Sequence, residues 1–373
     1  MPLFKEKIEK MLAGTGISIN GANDWDIQVH DERLYRRIVA RGSMGLGEAY
    51  MDEWWDCKKP DEFFYRIIKA SLHTQSRGVG HFFYRLVSNT LNKQTVRRSR
   101  EVGERHYDIG NDLYKLMLDK RMVYSCGYWS GNPPAGGLDE AQENKLDLIC
   151  RKLKLKPGQK VLDIGCGWGS FAKFAAEKHG VEVTGVTISK EQAALAKEMT
   201  KGLPVEIKFL DYRKIEGMFD RIVSIGMFEH VGPKNYRTYM ETAGKHLKDG
   251  GLFLLHTIGG NYADSNPDPW IEKYIFPNGA VPNIDRIGKA IRGLFVMEDW
   301  HNFGADYDKT LMAWYRNFEN NWDKLKERYS KRFRRMWTYY LLSCAGSFRA
   351  RDAQLWQIVL SKRGVSGGYE SVR

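Results

Sequence analysis

The sequence predicts an α/β protein with a doubly wound, Rossmann-like sheet and a smaller, mainly helical N-terminal domain. Three observations support this fold class. An apolar run ends in a glycine-rich loop at residues 161–169, which is typical of a central parallel strand that leads into a helix. Strand and helix patterns then alternate as far as residue 257, as in sheets that carry helices on both faces. Residues 1–95 show short helical patterns without this alternation.

These patterns place the elements in order along the chain. We expect an N-terminal domain over residues 1–95, with a glycine-bearing segment at 41–50, and a larger domain over 96–373. Residues 95–105 are basic and nearly free of large apolar side chains, which is typical of a linker or of the base of a mobile lid. The predicted strands cover 161–164, 181–187, 205–210, 219–225 and 251–257, and helices are predicted over 190–201 and 236–247.

The glycine loop predicts a binding site for a nucleoside cofactor. Its glycines allow a tight turn, and we expect no room for a Cβ at Gly167; N–H groups at the start of the next helix attract an anion. Ser170 stands where the nicotinamide fingerprint needs a third glycine, and the next strand ends in Thr187 rather than an acid. Asp163 precedes the glycines, and Asp211 ends the third strand, where a carboxylate can accept from an adenine amino group. The arrangement favours S-adenosylmethionine over NAD, although such loops also form for structural reasons alone.

Composition limits the class of protein. With 373 residues the chain is long enough for two or three domains. No apolar run approaches the roughly 20 residues of a spanning helix, and the N-terminus lacks a secretory signal, so we expect a cytoplasmic protein. The five cysteines form no Cys-x-x-Cys pair, and no two histidines have zinc-site spacing. This pattern predicts reduced thiols and no bound metal.

The formal charge of +12 is concentrated near the C-terminal end, where residues 309–363 contain 13 basic and 4 acidic side chains. Basic residues interleaved with aromatic ones, as at residues 329–340, are able to meet an anionic membrane or a nucleic acid. They are equally able to form a solvated helix face over a packed aromatic face. Apolar residues recur at three-or-four spacing from Leu311 to Phe348, which indicates helical core packing. We expect Lys331, Arg332, Arg334 and Arg335 to contact anionic lipid.

Catalytic chemistry is expected where parallel strands end, because ligands bind beyond the carboxyl edge of such sheets. The fourth strand leads into Glu229, and the fifth contains His256. A histidine serves as a base or donor near neutral pH, and a carboxylate orients it or holds a proton acceptor. A structural role for each buried polar group is the alternative.

Two cysteines are further candidates. Cys126 lies in an aromatic segment, residues 122–129, that is suited to cover the cofactor. Cys344 lies on the apolar stripe, where packing is the simpler role, and remains a catalytic candidate.

Long motifs identify a family resemblance that covers almost the whole chain. They lie at residues 45–52, 124–126, 161–169, 187–192, 228–236, 254–259, 274–279, 298–307 and 348–352. On these motifs the chain resembles the bacterial cyclopropane-fatty-acyl-phospholipid synthases, which are S-adenosylmethionine-dependent methyltransferases related to the mycolic acid cyclopropane synthases.

The resemblance implies methyl transfer from S-adenosylmethionine to the double bond of an unsaturated acyl chain in a membrane phospholipid, followed by ring closure. It implies a bicarbonate ion as the base, held by residues matching Cys126, Glu229, His256, Tyr307 and the main chain of Ile258. The resemblance also implies a set of cofactor-binding residues, which includes the Asp163 and Asp211 considered above. The set is Tyr124, Ser125, Leu162, Asp163, Ile164, Gly165, Cys166, Gly167, Trp168, Gly169, Ser170, Thr187, Ile188, Ser189, Lys190, Glu191, Gln192, Asp211, Tyr212 and Arg213. Relatives differ at Lys190 and Tyr212.

The resemblance also implies the partners of the protein. The N-terminal domain is implicated in forming a homodimer and in membrane contact, so we expect a peripheral protein at the inner face of the membrane, bound to phospholipid rather than to nucleic acid. Two alternatives stay open at this point. One is a related enzyme that methylates the acyl chain without closing the ring or acts on a different lipid carrier, and the other is a non-catalytic binding protein.

Overall fold

The structure is a computed structural model that describes residues 2–70, 110–130, 134–261 and 268–373. The chain forms two compact units. The first consists of residues 1–92, 266–277 and 307–353, and the second of residues 93–265, 278–306 and 354–373. Two late segments of the predicted larger domain thus cluster with the N-terminal helices. The predicted boundary at residue 95 and the linker at 95–105 lie outside the described residues.

The helices and strands are numbered in chain order. The helices are α1 (Pro2–Leu12), α2 (Arg33–Met51), α3 (Pro60–Lys69), α4 (Asn111–Met117), α5 (Leu138–Lys152), α6 (Ser170–His179), α7 (Lys190–Met199), α8 (Phe228–Val231), α9 (Tyr236–His246), α10 (Pro269–Tyr274), α11 (Ile284–Ile291), α12 (Ala305–Asn320) and α13 (Lys331–Arg349). The strands are β1 (Gln28–Val29), β2 (Trp55–Asp56), β3 (Lys160–Ile164), β4 (Glu182–Thr187), β5 (Val205–Phe209), β6 (Phe219–Ile225), β7 (Leu247–Gly259), β8 (Val296–Asn302) and β9 (Gln354–Ser361).

The second unit is built on a seven-stranded sheet of order β5-β4-β3-β6-β7-β9-β8. Strands β3 to β7 pair in parallel, whereas β9 is antiparallel to both β7 and β8. Side chains alternate between the two faces of a strand, so Leu162 and Val161 of β3 enter different core clusters. Phe171 of α6 packs in the Val161 cluster and Tyr239 of α9 in the Leu162 cluster. The predicted doubly wound α/β fold is therefore confirmed.

The predicted parallel strands are found within a few residues of their expected bounds, but the sequence patterns did not reveal β8 and β9. All eight residues of β9 are buried, and a strand covered on both faces has no alternation of apolar and polar residues. The predicted fifth strand begins four residues earlier than expected, at Leu247.

The first unit has an aromatic core. Trp55, Trp270, Trp314 and Trp337 are fully buried. The apolar stripe from residue 311 to 348 forms α12 and α13, and α13 begins where the Ser330 hydroxyl accepts from the N–H of Phe333 at 3.1 Å. Helix α13 packs on α3 so closely that a Cβ on Gly346 would lie 2.7 Å from that of Phe64. The stripe therefore serves core packing.

The basic residues at the start of α13 form ion pairs inside the first unit. Lys331 pairs with Glu53 at 2.8 Å, Arg332 with Asp52 at 3.0 Å and Arg335 with Asp56 at 2.7 Å. Arg334 pairs with Glu319. Each of the four cations faces a carboxylate of the same unit, so these pairs contribute to holding this unit together. Contact of the four residues with anionic lipid stays a prediction. In the part of the chain that the structure describes, no helix has the length and apolar character needed to cross a membrane.

Candidate active site

The glycine loop joins β3 to α6 through three left-handed glycines. Gly165, Gly167 and Gly169 have φ of 86°, 53° and 79°, a region that L side chains rarely adopt. A Cβ on Gly165 would lie 2.9 Å from the Cβ of Met227, whereas a Cβ on Gly167 would meet no described atom within 4 Å. The expectation that Gly167 lacks room for a Cβ is therefore wrong for the protein alone. At Gly165, by contrast, close packing against Met227 leaves no room for a Cβ.

Asp163 lies at the end of β3 and is 1% exposed. Its Oδ1 is buried and accepts no hydrogen bond from the described residues. Burial raises the pKa of Asp163 to about 7, and the Lys145 ammonium opposes that shift. A buried acceptor without a partner is costly in a folded protein, so this carboxyl is suited to bind a hydrogen-bond donor of a ligand.

The segment 122–130 lies along the glycine loop. Ser170, the first residue of α6, donates its hydroxyl to the main-chain oxygen of Met122 at 3.2 Å. The ring of Tyr114 lies 5.1 Å from that of Tyr124 and 4.9 Å from that of Trp168. The hydrogen bond from Ser170 to Met122 and the ring of Tyr114, which packs against both Tyr124 and Trp168, thus join this segment to the loop.

The predicted ribose and adenine residues form two short hydrogen-bonded turns. Thr187 donates to Oε1 of Gln192 at 3.0 Å, and Ser189 caps α7 by accepting from the N–H of Gln192 at 3.3 Å. After β5, both carboxylate oxygens of Asp211 accept from the Arg213 guanidinium, at 2.8 and 2.7 Å. The parallel pairing of β3 with β4 and of β4 with β5 puts both turns at the same sheet edge as the glycine loop.

Glu229 lies in α8, directly after β6. Its Oε1 accepts from the main-chain N–H of Ile258 at 2.7 Å, and its main-chain oxygen accepts from the N–H of Ala280 at 2.8 Å. Its Oε2 is buried and has no partner among the described residues. Burial raises the pKa of Glu229 to about 7, although the hydrogen bond from Ile258 favours the charged form. The group therefore exchanges a proton near neutral pH.

His256 lies on β7 two residues before Ile258, so both side chains point to the same face of the strand. The imidazole is 1% exposed. Its Nδ1 lies 3.3 Å from Nε2 of Gln357, the residue opposite it on β9. Because an amide nitrogen only donates, Nδ1 accepts and the ring proton is on Nε2, which has no partner among the described residues. Burial lowers the pKa of His256 well below its usual value, so the neutral ring presents an N–H donor.

The remaining candidates fall in both units. Cys126 is fully buried in the second unit, and its Sγ donates to the oxygen of Gly127 at 3.2 Å. Tyr307 and Cys344 belong to the first unit, where the ring of Tyr307 packs 4.4 Å from that of Phe348. Burial raises the pKa of Cys344 to about 12, which keeps the thiol protonated near neutral pH; a catalytic role for Cys344 stays a prediction.

The sequence analysis missed three polar residues that hold the candidates in place. Gln357 orients His256. Gln142 and Lys145 of α5, both fully buried, donate to the main-chain oxygen and the hydroxyl of Ser125, each at 2.8 Å. A signal for Lys145 was present in the sequence. Lys145 precedes the buried Ile149 by four residues and so lies on the apolar face of its helix.

Comparison with known proteins identifies the family of the chain. Residues 94–358 match the family model described as mycolic acid cyclopropane synthetase. The chain is 52% identical over 368 residues to the cyclopropane-fatty-acyl-phospholipid synthase of Escherichia coli strain K12, a match that covers 98% of this chain and 94% of that protein. It is 38% identical over 278 residues to a probable fatty acid methyltransferase of Pseudomonas putida, covering 71% of this chain and 70% of that one.

Solved structures give the same result. The cyclopropane synthase MmaA2 from Mycobacterium tuberculosis is 31% identical with a TM-score of 0.66, covering 70% of this chain and 98% of that one. The mycolic acid cyclopropane synthase CmaA1 complexed with SAH and CTAB is 30% identical, with the same TM-score of 0.66 and the same coverage of 70% and 98%. The sheet, the glycine loop and these matches over most of the chain together assign it to the mycolic acid cyclopropane synthetase family.

Proposed function

We propose that this protein is an S-adenosylmethionine-dependent cyclopropane-fatty-acyl-phospholipid synthase that acts on unsaturated acyl chains of membrane phospholipids. The observation that carries the proposal is the 52% identity, over 98% of the chain, to the Escherichia coli enzyme of that name. The site supports it, because a glycine loop suited to a nucleoside cofactor shares one sheet edge with the buried Glu229 and His256.

The reaction needs no nucleophile from the protein. When bound, S-adenosylmethionine supplies a methyl group activated by its positively charged sulfur. The electron pair of the alkene forms a new bond to the methyl carbon as the bond to sulfur breaks, which leaves a carbocation on the acyl chain. Loss of a proton from the new methyl group lets its C–H electron pair close the ring. The protein must therefore exclude water and hold a base.

The cofactor is held, in this proposal, by three parts of the second unit. The glycine loop and Asp163 bind the methionine part together with Tyr124 and Ser125. The turn from Thr187 to Gln192 binds the ribose, and Asp211, Tyr212 and Arg213 lie at the adenine. The left-handed glycines, the unpartnered Oδ1 of Asp163 and the capped α7 are the features of this structure that fit such a ligand.

Bicarbonate is the proposed base for the proton lost on ring closure. Glu229 Oε2 is suited to accept its hydroxyl, and the Nε2–H of His256 to donate to one of its oxygens; both atoms are buried without a described partner. Cys126, which is buried in the same unit, completes the proposed set. The N–H of Ile258 already donates to Glu229, so we propose that Ile258 fixes Glu229 through its N–H and meets bicarbonate through its main-chain oxygen. Activity should fall in carbonate-free buffer and return when bicarbonate is added, and full activity without carbonate would contradict this base.

The function is tested by incubating the protein with S-adenosylmethionine and vesicles of a phospholipid with a cis-unsaturated chain. We expect a product that gains one CH2 unit by mass spectrometry and shows cyclopropane methylene protons by NMR. Protein with His256→Ala is the matched control and should give little product. A wild-type protein that binds the cofactor but leaves the lipid unchanged would contradict the proposal.

A second candidate is a fatty-acyl methyltransferase that does not close the ring, since the chain is also similar to a probable fatty acid methyltransferase of Pseudomonas putida. The two products can have the same mass, since a ring and a methyl-branched alkene each add CH2. NMR separates them, because only the branched product retains a vinyl proton or carbon signal.

We further propose that the protein acts as a peripheral homodimer at the inner face of the membrane and prefers anionic lipid. The net charge of +12 supports attraction to an anionic surface. Vesicle binding should rise with the fraction of anionic lipid and weaken in salt, and sedimentation should give twice the monomer mass. Equal binding to neutral and anionic vesicles would contradict the lipid preference.

A further inference from the structure

Lys145 is a fully buried lysine of α5 that faces Ser125. Its Nζ donates to the Ser125 hydroxyl oxygen at 2.8 Å. Almost one turn earlier on the same helix, Gln142 donates to the main-chain oxygen of Ser125 at 2.8 Å. One face of α5 thus holds both the side chain and the main chain of this residue. Burying an ammonium group is costly, and the hydrogen bond to Ser125 offsets part of that cost.

The direction of the hydrogen bond determines where the Ser125 hydrogen is available. An ammonium group has donors only, so the Ser125 oxygen accepts. The hydrogen of the hydroxyl is left to donate to a third group, and the described residues supply no acceptor for it. Ser125 is therefore prepared to donate to an acceptor that belongs to a ligand.

The charges around Ser125 favour an anionic acceptor. Burial lowers the pKa of Lys145 to about 8, while Asp119 and Asp163 favour its charged form, so the ammonium remains charged at neutral pH. Asp163 itself is buried, with Oδ1 unpartnered. A ligand with a carboxylate beside an ammonium group, as in an amino acid, complements a cation-supported hydroxyl and a free carboxylate oxygen.

We propose that Lys145 is a positioning residue that holds Ser125 so that its hydroxyl donates to the carboxylate in the methionine part of S-adenosylmethionine. The inference rests on the proposed function, because it requires that cofactor. Lys145 acts through Ser125 and determines specificity for a ligand that retains its carboxylate.

The test compares the affinity for S-adenosylmethionine with that for decarboxylated S-adenosylmethionine, which lacks only the carboxylate. Titration calorimetry should show that the wild type prefers the complete cofactor. Lys145→Met and Ser125→Ala should each lower that preference by about 10- to 100-fold, as expected for a hydrogen bond to a charged group. Affinity for the decarboxylated compound should stay within about 2-fold, and the double variant should lose no more preference than either single one.

Lys152→Met is the matched control. Lys152 is also fully buried on α5, but its Nζ lies 3.5 Å from Asp299 and 3.0 Å from His301. This variant should lower thermal stability and leave the preference unchanged. If Lys145→Met fails to fold, Lys145→Gln takes its place in the comparison, and Ser125→Ala tests the contact with the carboxylate by itself.

Equal weakening of both ligands, or an unchanged preference in Ser125→Ala, would overturn the inference and leave Lys145 as a structural residue. The proposed function would survive that result. It fails instead if the wild type binds neither compound.

Discussion

Ile258 donates its main-chain N–H to Oε1 of Glu229 at 2.7 Å, and this bond ties the short helix after β6 to the end of β7. Oε1 accepts this bond, whereas Oε2 is buried and has no partner among the described residues, so we expect Oε2 to take part in the chemistry. The carboxyl therefore has a defined orientation at the carboxyl edge of the sheet, where His256 of β7 is also buried. This relationship leads to the first prediction.

Glu229→Gln should slow ring closure by about 10²- to 10⁴-fold, the usual contribution of a group that takes part in general acid–base catalysis. The amide oxygen can still accept from Ile258, but the amide nitrogen cannot accept a proton or a hydroxyl. Affinity for S-adenosylmethionine should stay within about 2-fold. Single-turnover product formation and cofactor titration measure the two effects, and a variant with normal turnover would remove Glu229 from the mechanism.

The wild-type rate should also rise with pH through about 7. Burial raises the pKa of Glu229 to that value, so the carboxyl is protonated below it and becomes an acceptor above it. Rates measured from pH 6 to 8 should show this rise. In the Glu229→Gln variant the rate should rise less over the same range, because the amide does not titrate. An identical pH profile in both proteins would contradict this assignment.

Gly165→Ala should damage cofactor binding far more than Gly167→Ala. Both positions have positive φ, which costs an L residue about 1–2 kcal/mol, but only at Gly165 does the new Cβ meet the protein, 2.9 Å from that of Met227. Calorimetry with S-adenosylhomocysteine on the folded variants provides the comparison. A loss confined to Gly167→Ala would show that the ligand, rather than Met227, requires the missing side chain.

Glu48 should make the first unit sensitive to acid. Its carboxylate is 6% exposed and pairs with Lys273 at 2.7 Å and Arg37 at 3.0 Å. Despite an opposing effect of burial, these hydrogen bonds lower the pKa from 4.5 to about 2. A lowered pKa stabilises the fold above the unfolded value of 4.5, and that contribution is lost as pH falls from 4.5 to about 2.

Glu48→Gln should therefore reduce the free energy of unfolding at pH 7 by up to about 3 kcal/mol, the equivalent of the pKa shift. The difference from wild type should shrink toward zero near pH 2. Urea unfolding at several pH values, followed by fluorescence of the buried tryptophans, tests this. A difference that stays constant with pH would mean that the side chain acts through shape rather than charge.

Arg335 and Lys331 should differ in what they contribute to stability. Arg335 donates to Asp56 at 2.7 Å and to the oxygen of Trp55 at 2.9 Å, and its guanidinium lies 4.0 Å from the ring centre of Tyr50. Arg335→Met should cost about 1–3 kcal/mol. Lys331 forms an ion pair with side chains 74% and 47% exposed, so Lys331→Met should cost less than about 1 kcal/mol. Thermal unfolding ranks the two, and equal losses would contradict the ranking.

The sequence by itself determined the fold class and the position of the glycine loop. Apolar periodicity reports which face of an element is buried, and the glycines at 165, 167 and 169 report a backbone that turns through left-handed φ. Both signals are local, because they can be read without knowing which other segment of the chain the element packs against. The ends of β6 and β7 likewise placed Glu229 and His256 at one edge of the sheet.

The tertiary structure decided which polar groups meet. Gln357 orients His256 from 101 positions away, and Lys145 holds Ser125 from 20 positions away. The basic residues of α13, which suggested a membrane surface, find carboxylates on α12 and near the ends of α2 and β2. Such pairs depend on how helices and strands pack, and a charge in a sequence carries no record of the distant group that will neutralise it.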